Sequence, residues 1–103
     1  MTYAEIKTML EGTGIKAFYH HAPDGTKVPF MTYKVSESNF ASDNENYQNI
    51  KSLTIYFYSR YKDLASEGLI ETVLNNNNLI WRKDSDYNSA EKINFSVYTT
   101  EVI

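Results

Sequence analysis

Few residues in this chain have side chains whose type and spacing could do chemistry. His20 and His21 are its only histidines, and an imidazole can shuttle a proton or hold a metal. Adjacent residues on an extended strand point to opposite faces, so the two do not converge on one ion or one relay. Neither has the further ligands or orienting partner that such work needs, and Asp24 nearby is accounted for by a turn. Glu37, Asp43 and Glu45 could gather a hard cation, but they lack the ordered carboxylate spacing and central glycine of a calcium loop. Asp84, Asp86 and Glu91 share one polar stretch, with nothing apolar around them to raise a carboxyl group toward acid catalysis. Trp81 and the tyrosines could stack on bases, yet single-strand binders set such rings among lysines and arginines along a groove. No nucleophile elbow, phosphate loop, dinucleotide fingerprint or His-Glu-x-x-His occurs, and Gly12-Thr13-Gly14 reads as a helix stop. The expectation is a non-enzymatic chain without catalytic residues, cofactor or metal.

The composition narrows the class further. At 103 residues the chain has the usual size of one domain, with no linker or shift in composition to divide it. Cysteine is absent, which removes thiol chemistry and disulfide staples and points to a reducing compartment. The start, Met1-Thr2-Tyr3-Ala4-Glu5, lacks the basic and apolar segments of a signal peptide, and no apolar run reaches bilayer-spanning length. Synthesis in the cytoplasm and no membrane partner are expected. Thirteen acidic and ten basic residues give a net charge of −3, and the basic ones are scattered, which argues against a dedicated nucleic-acid surface. The nine tyrosines suit pleated strands and supply rigid contact area at interfaces.

These residues must be positioned by a small set of elements. Thr2 and Glu5 fit a capping box for a first helix carrying Tyr3, Ile6, Met9 and Leu10. Ile15 to His21 reads as a strand, and the Ala22-Pro23-Asp24-Gly25-Thr26 turn predicts a hairpin whose return strand begins after Pro29. Residues 36–49 are rich in Ser, Asn, Asp and Glu and read as a long polar loop. Lys51 to Tyr58 alternates Leu53, Ile55 and Phe57 with Ser52, Thr54, Tyr56 and Tyr58, as a half-buried strand does. Ser59 is placed to cap a second helix from about Tyr61 to Leu74, with Tyr61, Ala65, Leu69 and Val73 in one row and Ile70 and Leu74 widening it. Gly68 weakens that helix unless it marks close packing on the sheet, and Asn75 to Asn78 end it. Leu79 to Lys83 and Ile93 to Val102 are then strands flanking a polar turn from Asp84 to Lys92. The resulting expectation is a two-layer α+β domain, residues 1–103, with an antiparallel or mixed sheet of four to five strands and both helices on one face. Thr54, Tyr56, Tyr58, Tyr98 and Thr100 are assigned to the exposed sheet face as a contact surface.

Pro29-Phe30-Met31-Thr32-Tyr33-Lys34-Val35, the loop through Asp43-Asn44-Glu45-Asn46-Tyr47, Leu53-Thr54-Ile55-Tyr56-Phe57-Tyr58-Ser59 and the helix from Asp63 to Leu74 together resemble a known family. It is that of small tail-terminator and head–tail joining proteins of long-tailed phages and prophages. The resemblance is a pattern of residue classes from Pro29 onward, and it carries over no site residue. It implies an α+β subunit that assembles with itself into a ring of six, capping the tail tube and meeting head connector and completion proteins. It also implies a location in the virion tail, with DNA as passing cargo. The loop of residues 36–49 would then be an arm lining the lumen or reaching an adjoining ring, and its acidity would keep phosphates from sticking.

Interaction is accordingly assigned to Phe40, Asp43, Glu45 and Tyr47 in the loop and to Tyr56, Tyr58 and Tyr98 on the strands. The alternative is a monomeric protein-binding adaptor encoded by a mobile element, with the same loop as its recognition surface.

Overall fold

The computed structural model describes residues 2–39 and 49–102. Helix α1 (Tyr3–Glu11) starts at the expected capping box. Thr2 Oγ1 accepts the Glu5 N–H at 3.1 Å, and Glu5 Oε1 accepts the Thr2 N–H at 2.9 Å. Ile6, Met9 and Leu10 form its buried face. The helix ends at Gly12, where the Thr13 hydroxyl donates to the Leu10 carbonyl at 2.7 Å and Gly14 takes φ 79°, a conformation glycine adopts at little cost.

Strands β1 (Ala17–Tyr19), β2 (Phe30–Asn39) and β3 (Asn49–Ser59) follow, then helix α2 (Leu64–Asn76) and strands β4 (Trp81–Asn88) and β5 (Ile93–Val102). The five strands form one mixed sheet in the order β1-β2-β3-β5-β4. Every neighbouring pair is antiparallel except β1 and β2. The fold is therefore α+β, as expected.

The predicted hairpin after β1 is not formed. β1 pairs with β2 in parallel, Ala17 beside Met31 and Tyr19 beside Tyr33. The chain leaves the sheet at His20, which takes φ 69° while its N–H still reaches the Tyr33 carbonyl at 2.8 Å. The Pro23–Thr26 turn does form, closed by the Thr26 N–H and hydroxyl on the Pro23 carbonyl. It lies partway along the return path of residues 20–29 and does not join two paired strands.

Three other boundaries move. β2 continues to Asn39 and β3 begins at Asn49, so Ser36 to Asn39 and Asn49 belong to strands, and Phe40, Asp43, Glu45 and Tyr47 lie outside the described residues. The β4–β5 connection is likewise shorter than expected, because β4 runs through Asp84 and Asp86 to Asn88. Helix α2 is capped by Asp63, whose carboxylate accepts the Ser66 N–H at 3.1 Å and the Ser66 hydroxyl at 2.8 Å. Ser59 instead donates to the Tyr61 carbonyl at 2.6 Å. The asparagine run acts as expected: Asn77 caps the helix and Asn78 takes φ 58°.

Both helices pack on one face of the sheet. Ile6, Met9 and Leu10 of α1 and Ile70 and Leu74 of α2 join Met31, Tyr33, Leu53, Ile55, Phe57, Tyr98 and Val102 in one apolar core. Burying such a set supplies the main drive for folding. No described helix is long and apolar enough to cross a membrane.

Candidate interaction surface

The register of the sheet decides which side chains are available for contact. Tyr56 lies opposite Val97 and Tyr58 opposite Phe95, whereas Tyr98 lies opposite Ile55. Side chains of directly opposed residues share a face. Tyr56 and Tyr58 are therefore on the open face, as expected, and Tyr98 is on the core face.

The assignment of Tyr98 and Thr100 to the exposed face is thus corrected. Tyr98 is 0% exposed, and its hydroxyl donates to Glu71 Oε2 at 2.8 Å. Burial first, and then the hydrogen bond and charge of Glu71, push its phenol well above the ordinary value. Thr100 is buried too and donates to the Ile80 carbonyl at 2.7 Å. The alternation of β5 was legible, but its sense was not: Ile93, Phe95 and Val97 are as apolar as any core set, yet they face outward.

Across the open face runs a row of aromatic rings. Phe18 and Phe30 are 6.2 Å apart between centroids, Phe30 and Tyr58 5.0 Å, and Tyr58 and Phe95 6.5 Å. These separations fall in the favourable range for ring pairs, and the row crosses β1, β2, β3 and β5. Lys34 Nζ sits 5.7 Å from the Tyr56 ring centroid. At the β4 edge Asp84 lies opposite Val97 and Asp86 opposite Phe95. Their Oδ1 atoms accept the N–H groups of Ser85 at 3.0 Å and Tyr87 at 2.8 Å. Charged side chains on an edge strand discourage further pairing.

Helix α2 turns an unexpected face to solvent. Of the expected row Tyr61, Ala65, Leu69 and Val73, only Val73 packs against the core; Tyr61 is 72% exposed, Leu64 69% and Leu69 49%. The buried row is Glu67, Ile70 and Leu74. A Cβ at Gly68 would meet nothing within 4 Å, so this glycine does not serve close packing on the sheet.

Glu67 was missed in the sequence because a glutamate within a helix normally marks the solvated side. Here it is 2% exposed and ion-paired with Lys62 at 3.1 Å and with Lys83. Lys83 also meets Glu71 at 2.9 Å, and Lys62 reaches Ser85 Oγ at 3.1 Å. Desolvation opposes the charge of Glu67, but the hydrogen bonds from Lys83 and Lys62 outweigh it and hold the carboxyl below its usual value. The network leaves no buried side-chain polar atom unpaired among the described residues.

The histidines stay apart from these surfaces. His20 and His21 are both exposed, and among the described residues no three potential ligands gather into a metal site.

No family model matches the sequence, and no curated protein does. A solved structure shares the fold: a chain in the virion of a native gene transfer agent (GTA) particle, with a TM-score of 0.62 at 10% identity. The match covers 96% of this chain and 87% of that one. At that identity the likeness is one of fold.

Proposed function

We propose that this chain is a structural, non-catalytic subunit of a phage-like virion. Within the virion it is read as a tail-terminator or head–tail joining subunit, forming a six-membered ring at the end of the tail tube. The observation that carries this reading is the fold likeness, over nearly the whole length of both chains, to a chain of a gene transfer agent virion. Two features agree with it: an open sheet face crossed by aromatic rings, and a helix with an apolar outer side. Monomers seldom leave contiguous apolar surface uncovered.

In this reading the partners are other copies of the chain, the tail-tube protein and the head connector and completion proteins, and DNA only passes through. Residues 40–48 join β2 and β3, and the arm role is assigned to them, with Phe40 and Tyr47 as contacts and Asp43 and Glu45 repelling phosphate. The test is a phage or prophage carrying a deletion of residues 40–46. The purified variant should keep the unfolding midpoint of the parent, while heads and tails accumulate unjoined in electron micrographs. Normal joined virions from the deletion strain would overturn the assignment. A strict monomer that captures one host protein would favour the adaptor alternative.

A further inference from the structure

We propose that Asp84 and Asp86 keep the outer edge of β4 closed to an added strand by occupying backbone donors that such a strand would use. The sheet is thereby kept from growing at β4, whether or not copies of the chain form a ring through other surfaces.

The ladder decides which donors point outward. On β2 the Met31 N–H reaches the Lys16 carbonyl, and the Tyr33 carbonyl accepts the His20 N–H, so the odd-numbered residues of β2 turn their backbone groups to β1. Those groups alternate sides along a strand, and the registers from β2 to β3, β3 to β5 and β5 to β4 run without a bulge. Even-numbered residues of β4 therefore bond to β5, while Trp81, Lys83, Ser85 and Tyr87 turn their N–H groups to the free edge. An unpaired row of this kind is a template for another chain.

Two of these four donors are already used. The Ser85 N–H donates to Asp84 Oδ1 at 3.0 Å and the Tyr87 N–H to Asp86 Oδ1 at 2.8 Å. Local bonds between an aspartate and the backbone compete with ladder bonds, so an incoming strand must break each of them to make one of its own. It must also bring its carbonyl oxygens up to the two carboxylates. The pattern repeats with the strand's own period of two: at both positions an aspartate precedes the outward donor. Trp81 and Lys83 are tied to α2 instead, Trp81 Nε1 to Asn75 Oδ1 and Lys83 Nζ to Glu71 Oε2, each at 2.9 Å. The closure rests on these bonds and not on the net charge of that side, where Arg82 stands beside the aspartates. The opposite edge of the sheet lacks it. Past Tyr33, where β1 ends its pairing, the outward groups of β2 belong to Val35 and Glu37, which follow Lys34 and Ser36 and have no carboxylate before them.

The test compares the parent chain with two double variants, Asp84→Ala/Asp86→Ala and Asp84→Asn/Asp86→Asn. Each is checked for the parental unfolding midpoint, association is followed by light scattering, and intermolecular sheet is read by infrared spectroscopy. Asparagine keeps an acceptor oxygen and loses the charge, whereas alanine loses both. The alanine pair should associate at about tenfold lower concentration than the parent, because two donors are released to an added strand, and should show new intermolecular sheet. The asparagine pair should stay close to the parent. In the alanine background Tyr87→Pro removes one outward donor without touching the ladder to β5, a substitution that an edge strand tolerates, and it should reverse most of the gain. The single variants Asp84→Ala and Asp86→Ala carry the same comparison with a smaller effect. A folded alanine pair that associates like the parent would overturn the proposal. So would an asparagine pair that associates as strongly as the alanine pair, which would leave charge alone as the guard. A gain that survives Tyr87→Pro would place the new contact elsewhere and overturn it as well.

Discussion

Tyr98 and Glu71 join β5 to α2 through a 2.8 Å hydrogen bond from phenol to carboxylate. The tyrosine that sequence alternation assigns to the solvent side is thus a fastening between the two layers. Tyr98→Phe keeps the ring and removes only the hydroxyl, and a hydrogen bond to a charged acceptor contributes about 1.5–3 kcal/mol. Urea unfolding should show a loss at the lower end of that range, since Glu71 retains Lys83. Association should be unchanged.

The opposite pattern is expected for Tyr58, whose ring lies between Phe30 and Phe95 on the open face. Tyr58→Ser should lower stability by about 1 kcal/mol, as loss of a cross-strand pair does. It should abolish self-association measured by light scattering. Full association by a folded Tyr58→Ser protein would remove the open face from the interface.

Glu67 should make stability depend on pH. Its carboxyl lies below the ordinary value in the folded chain because Lys83 and Lys62 offset its burial. A carboxyl depressed on folding stabilises above its unfolded value, and the contribution is lost as pH falls through the folded one. Stability should therefore hold at neutral pH and decline below about pH 4.5. Asp63, held down by its Ser66 hydrogen bonds, has the same sign. Glu67→Gln should flatten part of the decline while costing about 2 kcal/mol at pH 7, less than a fully buried pair because Lys62 and Lys83 keep partial solvent contact. Chemical denaturation at a series of pH values measures both.

Gly68→Ala isolates the intrinsic helix propensity of α2 in one substitution. A Cβ there meets no neighbouring atom within the subunit, and alanine in a helix interior is favoured over glycine by about 1 kcal/mol. The variant should melt a few degrees higher. Differential scanning calorimetry measures the shift, and an unchanged or lower midpoint would contradict the open space found at that position.

Much of this architecture is legible in the residues themselves. The capping box at Thr2 and Glu5, the alternation of Leu53, Ile55 and Phe57, and the stop at Asn77–Asn78 depend on local chemistry, and each forms as read. What failed depended on partners far along the chain. The parallel pairing of β1 with β2 follows from where residues 20–29 carry the chain, which turn chemistry alone does not specify. Ile70 and Leu74 are buried as expected, but the apolar residues of α2 lie on both sides, so the sequence does not tell that Leu69 faces out, and only Lys62 and Lys83 make Glu67 a tolerable core residue. For the same reason alternation alone does not put Tyr98 inside: β5 is apolar on both faces, and the register with β3 decides between them. Of the contact residues assigned from sequence, Tyr56 and Tyr58 lie on the open face, and the loop residues fall outside the described ones.

The strand order also governs how the chain assembles itself in time. β2 with β3 and β4 with β5 are neighbours both in sequence and in the sheet, so each pair can form early from local encounters. β3 meets β5 only after a segment containing all of α2 and β4 has closed on itself. Closing long loops is entropically costly, and non-local pairing slows folding. The seam from Lys51–Val102 to Ser59–Asn94 is thus the one in the sheet whose closure costs the most chain entropy, and it should be where a nascent chain remains open longest to mispairing with another copy.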